Sequence, residues 1–267
     1  MTIIMWIGNE PNQRALANKI HEYFPLTAIV TESRRRKLKL TVKKLFEKAI
    51  EKLFLGSIGK AWFGMHRYYQ QLYPDYPDVP VLNVERINCD EAFVFTKENQ
   101  PDLILVSGTS LIREKLLSLT PSIGILNLHT GLSPYIKGGP NCTNWCIATR
   151  QFHLIGNTVM WIDEGIDSGN LLATEFTTFD GNESLAEVHI KIMEHAHDLY
   201  LRSIRYLISG KVNSVSQKEI SEGTTYFNRE WGLKQKIRLL RNMGDFRKKN
   251  KQDHAAERQN IRTVSLN

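Results

Sequence analysis

Cysteine is scarce: Cys89, Cys142 and Cys146 are the only three in 267 residues, and none forms a Cys-x-x-Cys pair. An odd, widely spaced set excludes a disulfide framework and gives no zinc knuckle. Cys142 and Cys146, four apart, read as two reduced residues on one turn of a helix. No apolar run approaches the roughly 18 residues needed to cross a bilayer. The opening MTIIMWIGNEPN is apolar for only a few residues and has no basic leader. It reads as a first strand entering a turn rather than a signal peptide, so a soluble, cytoplasmic protein is expected. The His and Asp residues lack the spacing of a ligand cluster, and no metal is expected.

What is present is 42% hydrophobic content, enough for one good α/β core with an appendage. The net charge of +7 is concentrated. Residues 34–60 hold ten Lys/Arg against two Asp/Glu and residues 229–267 eleven against four, so the rest of the chain is net negative. A core with two basic appendages argues against general nucleic-acid binding.

Short apolar or β-branched runs fall at 2–7, 26–30, 81–84, 103–107, 123–128 and 157–162, with helical stretches at 12–23, 90–99, 111–119 and 141–151 between most of them. This alternation predicts an α/β fold with a doubly wound, mostly parallel, Rossmann-like sheet, whose ligands sit at the carboxyl ends of the strands. Residues 34–73 interrupt it. Leu38, Val42, Leu45, Phe46, Ala49, Ile50 and Leu53 keep the spacing of one apolar helix face with lysines opposite. A core-packed helical insertion is expected, a membrane-surface contact and a substrate flap being the alternatives. A long amphipathic helix is expected over 183–209, opened by Asn182 or Glu183 and closed by Gly210. The division is thus a domain of residues 1–210 and an extension, 211–267, with a hairpin or two short strands, a helix over 231–243 and a mobile polar tail.

Three polar groups stand at predicted strand ends: Asn127, His129 and, in WIDEGIDSG, Asp167. Taken singly, a strand-end Asn or Asp is a turn former. Asn127 and His129, two apart, project to the same side of a strand, and the Gly and Pro residues that follow turn the backbone away. An imidazole can hold a proton near neutral pH, an amide can donate to an oxyanion, and a carboxylate can orient the imidazole. No Ser or Cys is placed as a nucleophile. The set fits direct attack of an outside amine on a carbonyl.

NLHTGLSPYIKG resembles the Asn-x-His-x-x-Leu-x-Pro-x-x-x-Gly segment of the N10-formyltetrahydrofolate-dependent formyltransferases, and GNTVMWIDEGIDSG resembles that family's Gly-x-Thr-Val-x-x-x-Asp-x-Gly-x-Asp-x-Gly segment. The resemblance implies Asn127, His129 and Asp167 as the catalytic trio. It implies N10-formyltetrahydrofolate as co-substrate, lying against SGTSLI and WIDEGID through Ser110, Leu111, Ile112, Trp161 and Asp163.

The family's branches differ in the acceptor. The glycinamide ribonucleotide branch takes a phosphate on a Gly/Ser-rich loop after the first strand; here IGNEPNQ carries Glu10 and Pro11, which disfavour an anion. The methionyl-tRNA branch carries a sizeable C-terminal barrel, for which residues 211–267 are too few. The resemblance is therefore nearest to the nucleotide-sugar N-formyltransferases, with GDP-perosamine or a dTDP-linked amino sugar as acceptor and surface polysaccharide as the destination. Tyr135, Lys137 and Asn141 are candidates to bind it. Tyr226 and Phe227 are expected to seal a homodimer rather than stack on a base. No nucleic-acid partner is expected.

Overall fold

The structure, a computed structural model, describes residues 1–34, 55–252 and 254–266. In chain order its elements are β1 (Ile3–Gly8), α1 (Pro11–Tyr23), β2 (Ala28–Glu32), α2 (Gly56–Leu72), β3 (Val81–Val84), α3 (Asp90–Glu98), β4 (Leu103–Ser107), α4 (Glu114–Leu117) and β5 (Gly124–His129). Then follow β6 (Ile136–Gly138), α5 (Cys142–Ala148), β7 (Gly156–Trp161), β8 (Leu171–Phe176), α6 (Leu185–Ile208), β9 (Thr224–Tyr226), α7 (Leu233–Asn250) and α8 (Ala255–Arg258).

Seven strands make one sheet in the order β3-β2-β1-β4-β5-β7-β8, parallel as far as β5 and antiparallel beyond it. Continuous apolar runs become strands buried on both faces. Ile3, Met5 and Ile7 of β1 pack with Leu16 and Ile20 of α1 and with Leu199 and Ile204 of α6. Ile4 and Trp6 pack on the other face, with Ala92 of α3 and Leu116 of α4. The order reverses between β1 and β4, which opens the crevice expected at such a switch point.

The mostly parallel α/β sheet is as predicted, with local differences. The helix expected over 111–119 is a single turn. Residues before it are held irregular, because Glu32 accepts from the Ser110 amide and Asn88 from the Arg113 amide. The long helix is capped by Ser184, not by Asn182 or Glu183: Ser184 and Glu187 form a reciprocal capping box, while the Glu183 carboxylate accepts from the Asp180 and Gly181 amides. The apolar face 38–53 lies outside the described residues. The second half of the basic insertion is α2, whose Ala61, Met65 and Tyr69 are buried.

Residues 211–267 do not make a hairpin. Val215 bridges to Leu171, and β9 pairs in parallel with the distant β6. Nor is the end a free tail. Leu239, Met243 and Phe246 of α7 share a core with Cys146 and Val188, and Val264 exchanges bonds with Thr174. Among the described residues no helix is long and apolar enough to cross a membrane.

Candidate active site

Asn127 and His129 lie on one face of β5 at its carboxyl end and line a cleft of about 550 Å³. Asp167 reaches them by a different route from the one its position suggested. β7 is antiparallel to β5, with Trp161 opposite Leu126 and Thr158 opposite His129. The chain therefore leaves β7 below the level of His129, and residues 162–169 fold back across the cleft. Asp167 sits in that loop with φ +47°, a left-handed conformation uncommon outside glycine, asparagine and aspartate. Its Oδ2 stands 3.5 Å from His129 Nδ1 and accepts the Gly138 amide at 3.0 Å. One carboxylate oxygen thus joins the β5, β6 and β7–β8 segments.

The other ring nitrogen of His129 faces inward, 3.6 Å from the Sγ of Cys142, whose thiol also reaches the Gly138 carbonyl at 3.4 Å. Burial pushes the Cys142 thiol well above its ordinary value, with smaller contributions from Cys146 and Asp167. It is a neutral neighbour rather than a thiolate. Gly131 must be small: a Cβ there would collide with both His129 Nε2 and Cys142 Sγ. The turn after His129 is tied to β7 by Thr158, whose hydroxyl donates to the Gly131 carbonyl at 2.7 Å and accepts the Ser133 amide at 2.9 Å.

Ser110, Leu111, Ile112, Trp161 and Asp163 all line the cleft. Leu111 offers an exposed apolar side chain, whereas both polar donors of Ser110 are engaged by the Glu32 carboxylate. Asp163 Oδ1 accepts from the Gly165 amide and the Ser168 hydroxyl and so braces the loop. Asn141 lines the cleft while capping α5. Tyr135 and Lys137 do not line it. The Tyr135 hydroxyl accepts the Arg262 amide, and Lys137 faces away from the side of β6 shared by Ile136 and Gly138. Tyr226, expected at an interface, stacks on Trp145 of the same chain at 4.2 Å, and Phe227 and Asn228 complete that wall of the cleft.

Three contributors went unread in the sequence. Glu32 is a buried carboxylate at the carboxyl end of β2. Burial works to raise it, but bonds from Ser110, Ile87 and Arg34 outweigh this and hold it below the usual range. A charged residue directly after an apolar strand was the available signal. Tyr200 is fully buried, accepts the Val106 amide at 3.0 Å and donates to the Leu126 carbonyl at 2.6 Å. It thereby fixes β5 one residue before Asn127. Gln217 makes its short bonds to backbone carbonyls, with the Met160 sulfur 3.9 Å from the same nitrogen, and no sequence pattern marks that. Among the described residues, Arg34 is the sole Lys or Arg lining the cleft, and no group of three or more His, Cys, Asp and Glu could hold a metal ion.

Residues 82–204 match the family model described as formyl transferase. That stretch is similar to the formyl transferases. It holds the three residues that meet in the cleft, while β1 and β2 precede the matched segment. A methionyl-tRNA formyltransferase from Clostridium tetani is 30% identical over 143 residues, 53% of this chain and 46% of that protein. The chain thus spans about half the length of that curated relative. Among solved structures, a sugar N-formyltransferase from a Shewanella species gives a TM-score of 0.58 at 13% identity, over 91% of this chain and 88% of that one. The N-formyltransferase from Helicobacter canadensis, in complex with folinic acid and dTDP-3-aminofucose, gives 0.52 at 12% identity, over 91% and 81%. The likeness to the solved structures is one of fold, and it covers more of the chain than the segment matched by the family model.

Proposed function

We propose that the protein moves a formyl group from N10-formyltetrahydrofolate to the amino group of a nucleotide-linked 4-amino-4,6-dideoxy sugar, GDP-perosamine or a dTDP analogue, for surface polysaccharide. The observation that carries the chemistry is the meeting of Asn127, His129 and Asp167 in one cleft, with the imidazole 3.5 Å from the carboxylate. In this reading the formyl carbonyl lies near Asn127, whose amide donates to the oxyanion as the amine nitrogen bonds to carbon. His129 takes the proton that the amine gives up, with Asp167 orienting the ring. The tetrahedral intermediate collapses by breaking the bond between carbon and N10, which takes a proton and leaves as tetrahydrofolate. The pteridine is assigned to the wall formed by Leu111, Ile112 and Trp161.

The sugar acceptor is supported by the wall that Tyr226, Phe227 and Asn228 add, and by fold likeness to sugar N-formyltransferases over nine-tenths of the chain. Glu10, at the start of α1, and the presence of Arg34 as the one cation lining the cleft among the described residues weigh against an isolated phosphate. Formylation of methionyl-tRNA is the second reading, favoured by the sequence likeness to that enzyme. Tetrahydrofolate release, followed by absorbance with each nucleotide sugar, glycinamide ribonucleotide and charged initiator tRNA offered separately, separates them. Turnover with tRNA alone would reject the sugar acceptor, and formate release indifferent to every amine would reject transfer itself.

A further inference from the structure

We propose that Gln217, in the segment after α6, is a positioning residue that holds Asp167 in its working conformation. The inference rests on the reading of Asp167 as part of a formyl-transfer site. Asp167 is held at φ +47° in a loop that has doubled back from β7, so something must offset the cost of that conformation. Its carboxylate is held by the Gly138 amide. Its backbone is held by Gln217, whose Nε2 donates to the Asp167 carbonyl at 2.8 Å and to the Gly169 carbonyl at 2.7 Å.

The geometry makes this a clamp. Both hydrogens of one planar amide are used, so the carbonyls on either side of Ser168 are fixed relative to each other. Gln217 is 4% exposed, and its loss would leave these carbonyls short of a donor in a place water reaches poorly. The clamp is itself anchored: the Leu171 amide donates to the Val215 carbonyl at 2.8 Å, the Val215 amide returns the bond at 3.0 Å, and Gln217 begins a 3-10 turn two residues later. On the loop side Gly169 lies so close to the Trp161 carbonyl that a Cβ could not be fitted. The extension therefore reaches the acid of the site through one side chain, and the aspartate's distance to His129 depends on residues outside the segment that matches the formyl transferases.

The test compares wild type with Gln217→Leu, which keeps the volume and removes both donors, and Gln217→Glu, which replaces the amide with a carboxyl. Amide hydrogen exchange over residues 163–169 is measured on each, together with tetrahydrofolate release using whichever nucleotide sugar is turned over. Expected for Gln217→Leu are faster exchange confined to that loop and a fall in kcat of about tenfold or more, with KM for the folate little changed; misplacement of a catalytic group by 1 Å can cost about a hundredfold. On an Asp167→Asn background, Gln217→Leu should cost little further, because the two act through one group. A merely structural role predicts the same loss on both backgrounds and would overturn the proposal, as would unchanged exchange in the loop or wild-type kcat for Gln217→Leu. If Asp167→Asn itself keeps full activity, the formyl-transfer reading fails instead, and the exchange measurement alone then decides whether the clamp exists.

Discussion

The Nε2 of His129 lies 3.6 Å from the Sγ of Cys142, on the opposite side of the ring from Asp167. The imidazole is thus bracketed, with a neutral thiol behind and a carboxylate in front.

Because burial raises the thiols of Cys142 and Cys146, the latter to about 12, neither should react in the native protein at pH 8. Only Cys89, half-buried, is expected to react promptly with a disulfide reagent. Three fast thiols in the native state would contradict the packing around His129.

Replacing Gly131 by Ala drives a methyl group into His129 Nε2 and Cys142 Sγ. The expected cost is about 1–3 kcal/mol in urea unfolding, with most activity lost because the ring must move. Wild-type kinetics in Gly131→Ala would show that the imidazole is free to shift.

For the proposed trio, Asn127→Ala should lower kcat by roughly 10²–10³-fold as an oxyanion donor is removed. His129→Ala should cost roughly 10²–10⁴-fold. Near-normal turnover in either variant would leave the mechanism without its basis.

Tyr200→Phe removes only a hydroxyl, yet strands the Val106 amide and the Leu126 carbonyl inside the sheet. A loss of about 1–3 kcal/mol in equilibrium unfolding is expected. A change within error would mean that the two strands close the gap themselves.

Acid should weaken the fold in two stages. His189 is lowered to about 4 from an ordinary 6.5 by burial and by His66; burial also lowers the half-buried His66 and, above all, the buried His197. The unfolded chain therefore takes up these protons first, and stability falls as pH drops from about 6.5 toward 4. Glu175 is lowered to about 2 by its bonds from Arg202 and His195. Glu183 reaches about 2 because bonds from Lys191 and backbone amides outweigh its burial. Their contribution is present above about 4.5 and is lost as pH falls toward 2. Urea midpoints across pH should flatten in the lower stage for Glu175→Gln. An unchanged lower stage in that variant would exclude the Arg202 pair as its source.

Much of the architecture was legible in the residues. β3 and β4 were read residue for residue, and α1 and α3 to within one residue, because a run of β-branched residues or an apolar stripe reports directly which faces are buried. β8 was missed: LLATEF has an apolar start too short to tell a buried strand from helix, and its place is set by pairing with β7. The extension is expected to hold a hairpin or two short strands, a helix and a mobile tail; the helix forms, but charge and the absence of periodicity do not reveal that Phe246 and Val264 have cores to enter.

By itself the sequence determined the parallel sheet, the spacing of Asn127 and His129 on one strand face, and the turn that carries the chain away from them. These are local properties, set by alternation and by Gly and Pro dihedrals. That β7 runs antiparallel, that residues 162–169 return to bring Asp167 within 3.5 Å of His129, and that Gln217 grips that return were decided by the tertiary structure. The reason is physical: such contacts join segments tens of residues apart, two of the key bonds are made to backbone carbonyls, and a carbonyl looks the same whatever side chain it belongs to.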